Sequence, residues 1–363
     1  RAPNGNRFKI LTLPHICGKM QCNIIVWESV ALISVIIPVY NTKASDLESC
    51  IAGIFGQDYS DFEVIIVNDG STDSESLACL QELATRYDKI RLVNKENGGP
   101  SSARNIALDI SRGDFICFVD SDDILLPGFF KAAMSAFDPE TSAVFGKTEW
   151  VNEDGSLVKT NVAENNLSVT EYVFHNDGDR TEFIRTASKW KNNEEFKLGI
   201  QSELWCKIFR KSIVENIRFN KDVLIGEDQI FTTQAFLKCD KIRIVDSCWY
   251  RYIIHPNSLM RSLSFKSVDK YLSFFKGFAE IFGEGDNIVL YEKAYFCFRE
   301  LLEVIDPSEH KKAAECIKAF TEDATVKKYL FEIPFKAKAV PLYDRILCRF
   351  GTFKCIIEFK RKD

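Results

Sequence analysis

Two apolar rhythms alternate between residues 33 and 119. Four short runs are apolar almost without a break and rich in β-branched or aromatic residues: 33–40 (ISVIIPVY), 62–67 (FEVIIV), 90–93 (IRLV) and 115–119 (FICFV). Runs of this length and composition read as buried strands. Between them, apolar residues recur three and four positions apart. Leu47, Cys50, Ile51, Ile54 and Phe55 mark a helix over 45–57, which Ser45 or Asp46 can cap. A second helix spans 73–87, and a third runs over about 101–111 after the turn at Gly98-Gly99-Pro100. Strand and helix in strict alternation predict a parallel sheet carrying its helices. Right-handed crossovers then gather the strand C-termini along one rim, so Tyr40, Asp69, Asn97 and Asp120 face a common edge.

The pattern changes beyond about residue 145. The stretch 160–200 is polar and lacks a strong period, whereas 204–214 reads as a short strand and the start of a helix. Gly226-Glu227-Asp228-Gln229 opens a helix that carries Ile230, Phe231, Ala235 and Phe236. Residues 242–245 and 248–253 read as strands, and from about 264 the chain is mainly helical and rich in Phe. No internal repeat is visible.

Composition narrows the class. Of 363 residues, 46% are hydrophobic and 27% charged, which suits a globular chain with a full core. The net charge of −5 offers no basic face, so nucleic-acid binding is not expected. The twelve cysteines are scattered, several within apolar runs (Cys117, Cys239, Cys248, Cys297), and read as buried free thiols of a reducing compartment. Residues 1–31 combine basic residues with 24–27 (IIVW), which Glu28 interrupts. That run is too short to span a bilayer and lacks the layout of a signal peptide, so 1–31 is set aside as an ill-defined leader.

The strand at 115–119 ends in Asp120-Ser121-Asp122-Asp123. Carboxylates this close repel one another unless a cation or hydrogen bonds compensate. Ligands of open α/β sheets bind at the C-terminal ends of strands. A hard divalent ion carrying a phosphorylated substrate accounts economically for such a cluster. Asp120 and Asp122, two apart, point the same way on an extended segment, while Asp123 fits a structural role better than a metal.

The cluster has company. Ile36-Ile37-Pro38-Val39-Tyr40-Asn41, Val67-Asn68-Asp69-Gly70-Ser71-Thr72-Asp73, Asn97-Gly98-Gly99 with Ala103-Arg104-Asn105, and Gly113-Asp114 precede it in order. Trp205 with Lys207, Glu227-Asp228, and His255-Pro256-Asn257-Ser258 before Met260-Arg261-Ser262 follow it. Over about residues 32–262 this series resembles the family 2 glycosyltransferases of the GT-A fold. The resemblance implies an α/β architecture, a Rossmann-like sheet with helices on both faces, plus a C-terminal helical extension. On that reading 32–145 is the nucleotide-sugar-binding half, 146–262 the acceptor-binding and catalytic half, and 263–363 a helical region.

The activity implied is inverting, metal-dependent transfer from a UDP-sugar to an acceptor hydroxyl, in bacterial-type surface polysaccharide or glycoconjugate synthesis. Pro38, Val39, Tyr40, Asn41, Asp69, Asn97, Gly98, Arg104, Asp120 and Ser121 would line the nucleotide pocket, with Asp69 accepting the uracil N–H and Asp120 bonding the ribose. Asp122 and His255 would hold Mn²⁺ or Mg²⁺, Asp228 would be the general base, and Arg261 would reach the diphosphate.

Each residue also has a plainer reading. Asp69 can cap the next helix, Arg104 can form a surface ion pair, and Asp120 to Asp123 can be a turn. Glu227 and Asp228 can complement a helix dipole, His255 can be an ordinary surface or core histidine, and Trp205 can be core. Two other functions compete. A nucleotidyltransferase would need a Gly-rich loop with a basic residue after the first strand, where Pro38-Val39-Tyr40-Asn41 stands instead. A non-catalytic carbohydrate-binding relative would lack Asp122 or Asp228. The acceptor is expected to be a saccharide or a lipid-linked saccharide. The basic, aromatic segment 347–360 can lie on a membrane surface, which places the protein in the cytoplasm or peripherally on the inner face of the membrane.

Overall fold

A computed structural model describes residues 7–12, 23–28, 31–160, 167–187, 203–223, 225–255, 268–283, 289–290, 292–294, 296–297 and 310–332. Within the leader, β1 (Arg7–Thr12) pairs antiparallel with β2 (Asn23–Glu28). The stretch set aside as ill-defined thus contains a two-stranded sheet, with 24–27 in its second strand.

The alternating apolar rhythms fold as expected. β3 (Ile33–Val39), α1 (Ala44–Phe55), β4 (Phe62–Asp69), α2 (Ser74–Arg86), β5 (Ile90–Lys95), α3 (Gly99–Ile110) and β6 (Phe115–Phe118) follow in order. α1 starts one residue before the expected caps: Lys43 stands at its N-cap with no capping side chain, while Ser45 bonds the Asp46 carboxylate. α2 is capped by Asp73, which accepts from the Ser76 amide at 2.8 Å. That leaves Asp69 free of the capping role.

β6, β3, β4 and β5 lie side by side and parallel. Both faces of this sheet are covered. Val35, Ile37 and Val39 pack against Leu47, Cys50 and Ile51 of α1, whereas Ile36, Ile65 and Val67 pack against Ala103 and Ala107 of α3. Each fully buried aliphatic side chain contributes about 1.5–3 kcal/mol, so neither face could be left to water.

The second half extends the same sheet with mixed directions. After β7 (Ile124–Leu125) and α4 (Phe129–Ser135) come β8 (Ala143–Asn152), β9 (Leu157–Thr160), β10 (Val169–Val173) and α5 (Asp177–Ala187). β11 (Lys207–Arg210), α6 (Lys211–Val214), α7 (Glu227–Phe236) and β12 (Lys241–Ile254) complete it. β12 is one strand with a register irregularity between Ile244 and Tyr250, rather than the two expected from the pattern. The supposedly patternless 160–200 region contributes β10 and α5.

β11 runs antiparallel to both β6 and β8, so β8 points the same way as β6, and β12 pairs with β8 in parallel. The C-terminal ends of β8 and β12 therefore emerge on the same rim as those of β3, β4 and β6. This direction rule assembles the site. Helices α8 (Val268–Phe282) and α9 (His310–Glu322) build a further core, in which Phe274, Phe275 and Phe278 meet Val223, Ile225 and Ile230. No helix among the described residues is long and apolar enough to cross a membrane. The segment 347–360 lies outside the described residues, as does Arg261.

Candidate active site

The rim carries a continuous polar network. Tyr40, just past β3, is 54% exposed, whereas Val39 is buried in the core, so the first strand presents a free aromatic ring at its tip. Asn41 adopts a left-handed backbone (φ 50°) and turns its amide oxygen to the Thr72 and Asp73 N–H groups at 2.7 and 3.0 Å. It ties the loop after β3 to the loop after β4. The hydroxyls of Thr42 and Ser121 lie 2.6 Å apart and join the same loop to the acidic cluster.

Asp69 is 3% exposed at the end of β4. Its carboxylate accepts from the Gly98 and Gly99 amides at 3.0 and 2.8 Å and pairs with Lys95. Gly70 makes this possible. It has φ +74°, and a Cβ there would sit 2.6 Å from the Asn97 nitrogen, so only glycine lets the two loops approach. The sequence placed Asp69 and Asn97 on one rim; the structure joins Asp69 to the next two residues, Gly98 and Gly99, by hydrogen bonds.

Arg104 is buried and bridges two acids. One terminal nitrogen lies 2.9 Å from Asp120 Oδ1 and the other 2.9 Å from Glu227 Oε1. Neither nitrogen is turned outward, and its Nε has no hydrogen-bond partner. The guanidinium thus binds the acidic cluster after β6 to the start of α7, where Glu227 lies 123 residues from Arg104 in sequence.

The acidic cluster divides by environment. Asp120 and Asp122 are partly exposed at the rim, Asp122 the more so. Asp123 is 1% exposed, accepting from the Tyr250 hydroxyl at 2.7 Å and the Ile253 amide at 2.9 Å. Its structural role is plain: it fastens the cluster to the end of β12. Burial, then Asp122 and Asp120, pushes the Asp123 carboxyl well above the usual range. His255 follows directly, with Nε2 3.6 Å from Asp122 Oδ2 and Nδ1 2.8 Å from Glu153 Oε1. Burial, with repulsion from Asp120, also raises Asp122.

Opposite stands the start of α7. Gly226, at φ +71°, lies against the ring of Phe274, and Glu227 and Asp228 follow in the first helical turn. Burial, then the neighbouring Glu227, raises the Asp228 carboxyl, and Arg104 pulls it partly back. A carboxyl poised near neutrality suits proton abstraction. Near it, Glu203 is buried with one oxygen unpartnered, and the Trp205 indole nitrogen is likewise buried without a partner. Trp205 stacks on Tyr250 and Tyr252 with centroids 5.9 and 5.2 Å away. Lys207 is buried, donating to the Trp205 carbonyl at 3.3 Å.

Residues 34–203 match the family model of glycosyl transferase family 2. That stretch carries a glycosyl transferase family 2 domain. Among its relatives, EpsJ of Bacillus subtilis (strain 168), an uncharacterized glycosyltransferase, is 28% identical over 257 residues, 67% of each chain. The glycosyltransferase GlyA of Streptococcus pneumoniae is 29% identical over 63% of this chain, which spans 31% of GlyA. The poly(ribitol-phosphate) β-glucosyltransferase of Bacillus spizizenii is 30% identical over 64% of this chain and 34% of its own length. Among solved structures, S. aureus TarS 1–349 in complex with UDP-GlcNAc superposes with TM-score 0.64 at 22% identity, covering 91% of this chain and 89% of that one. The shared architecture is the GT-A fold expected from the motifs, and the chain is a glycosyltransferase.

Within that family fold, the residues that sequence reading passed over are connectors. Tyr250, Glu153, Lys95 and Lys43 each hold a candidate residue, or the neighbour of one, in place. Their only local signal is position at a strand end or on one face of β12. Glu227 gave a signal through its neighbour Asp228 and Arg104 through its motif, but nothing local showed that the two are partners.

Proposed function

We propose that the chain transfers a sugar from a UDP-sugar donor, with inversion and with the help of Mn²⁺ or Mg²⁺, to a hydroxyl of a saccharide or lipid-linked saccharide in surface-polysaccharide or glycoconjugate synthesis. One observation carries this reading: the Arg104 bridge, which brings the acidic end of β6 and the acidic start of α7 to opposite sides of one guanidinium. Donor-side and acceptor-side carboxylates are then held on either side of one side chain. The solved TarS complexes with UDP and UDP-GlcNAc support the donor class.

In this reading the exposed Tyr40 ring offers a stacking face for the base. Asp69 either accepts from the uracil ring or keeps the Gly98 and Gly99 amides in place beside it. Asp120, held by Arg104, keeps its second oxygen for the ribose. Asp228 takes the proton of the acceptor hydroxyl as that oxygen attacks the anomeric carbon from the face opposite UDP, and the C–O bond to the diphosphate breaks. The buried Glu203 oxygen and the Trp205 N–H, both unpartnered, are suited to acceptor hydroxyls.

The metal fits the residues present. Among the described residues no three His, Cys, Asp or Glu side chains gather closely enough to hold an ion by themselves. Asp122 and His255 do face each other, and His255 Nε2 is buried without a hydrogen-bond partner. Two protein ligands completed by donor phosphates is a normal arrangement for Mg²⁺-type sites. An ion there would neutralise charge on the departing diphosphate.

The test is UDP release from a panel of UDP-sugars, with and without Mn²⁺, by the native chain and by Asp122→Asn. One donor should be consumed, only with metal, and the substitution should abolish metal-dependent UDP binding. Consumption of no UDP-sugar would remove the donor class; turnover indifferent to both Mn²⁺ and Asp122 would remove the metal.

A further inference from the structure

The parallel pairing of β8 and β12 has a direct consequence at their ends. Asn152 stands opposite Ile254 in register, so the next residues of the two strands, Glu153 and His255, leave the sheet near one another. Glu153 Oε1 lies 2.8 Å from His255 Nδ1, and Lys43 from the loop after β3 approaches the same oxygen at 3.4 Å. On the other side of the ring, Nε2 is buried, has no hydrogen-bond partner, and lies 3.6 Å from Asp122 Oδ2.

We infer that Glu153 is a positioning residue for His255, fixing the imidazole so that the Nε2 lone pair is aimed at a divalent cation beside Asp122. This inference rests on the metal reading of Asp122 and His255 given above. An ionised carboxylate can only accept a hydrogen bond, so the ring proton belongs on Nδ1. Nε2 is then a bare acceptor. An N–H at that position would be a buried donor beyond hydrogen-bond reach of its nearest carboxylate, a costly arrangement. A metal ion satisfies the lone pair and the Asp122 charge together. Carboxylates behind metal-binding histidines orient the ring and raise its basicity, and losing one lowers metal affinity about 10–100-fold. Lys43 acts one step further out, keeping the Glu153 carboxylate turned toward the ring. Lys43 after β3, Glu153 after β8 and His255 after β12 are thereby drawn together at the rim.

The experiment is an electron paramagnetic resonance titration of Mn²⁺ in the presence of UDP, using the full chain and its Glu153→Ala, Glu153→Gln and His255→Ala variants. The ring nitrogens are followed in parallel by ¹⁵N NMR of histidine-labelled protein without metal. Glu153→Ala should weaken Mn²⁺ binding about 10–100-fold. Glu153→Gln, whose amide oxygen can still accept from Nδ1, should recover part of that loss. In the native chain His255 should carry its proton on Nδ1, and Glu153→Ala should shift the tautomer balance. Native Mn²⁺ affinity in Glu153→Ala, with an unchanged nitrogen spectrum, overturns the role of Glu153 and leaves the metal reading standing. Absence of Mn²⁺ binding by the native chain with UDP overturns the metal reading itself, and this inference with it.

Discussion

Replacing Asp228 by Asn should make the protein more stable and less active at once. The side chain sits in the first turn of α7, partly buried, with its Oδ1 accepting from the Gln229 amide at 2.8 Å. Asparagine can keep that bond through its amide oxygen. What it removes is an ionisable group that burial and Glu227 push up from the usual aspartate range to about 8. The sign follows from proton binding. Above about pH 4 the unfolded chain has released this proton, while the folded chain retains it until about pH 8. Across that window this residue makes the native protein progressively less stable as pH rises.

Each pH unit in the window costs about 1.4 kcal/mol, and asparagine, having no proton to lose, escapes the cost. Screening by water at this partly exposed side chain reduces the whole, leaving an advantage for Asp228→Asn on the order of 2–5 kcal/mol at pH 8 that shrinks toward zero near pH 4. Urea unfolding of both proteins at pH 5, 6.5 and 8, followed by tryptophan fluorescence, measures it. Sugar transfer should fall about 10²–10⁴-fold, the usual worth of a general base. A stability gap that is flat with pH, or of the opposite sign, refutes the electrostatic argument. Normal turnover in the variant places the base elsewhere.

Two further substitutions probe the connectors. Tyr250→Phe removes the hydroxyl that donates to Asp123 at 2.7 Å and receives the Asp120 amide at 3.3 Å. The orphaned partners should cost about 1–3 kcal/mol in denaturant unfolding, and a loss within error would show that the acidic turn holds itself without β12. Gly226→Ala forces an L-residue into a left-handed backbone at φ +71° and sets its Cβ 2.4 Å from the Phe274 ring. A cost of about 2–4 kcal/mol is expected, with lost turnover because Asp228 lies two residues on; an undisturbed variant would mean that the α7 start can shift freely against α8.

The local pattern located the first half of the molecule well. Its strands are buried on both faces and its helices present one apolar stripe, so each period is written in a short window of sequence. Asp69, Asn97 and Asp120 could be placed on one rim for the same reason: strand order within alternating β and α units follows from crossover handedness. The acidic cluster could even be divided, since Asp123 was separable from Asp120 and Asp122 before any contact was known. The second half resisted. β8 (AVFGKTEWVN) is interrupted by Gly146, Lys147, Thr148 and Glu149, so no strand was expected there, and its place between β11 and β12 depends on pairing with residues far away. β12 reads as two strands because its register irregularity breaks the apolar alternation locally.

By itself, the sequence determined a parallel α/β core, an acidic rim and the family of motifs on it, because periodicity and strand-end chemistry are properties of neighbouring residues. Tertiary structure alone decided which charges answer which. Arg104 finds Asp120 and Glu227, Lys95 finds Asp69, and Glu153 finds His255, each through strand directions and registers set across the whole sheet. A buried charge must be compensated by whatever the fold brings within about 3–4 Å of it, and that choice is not encoded in the residues beside it.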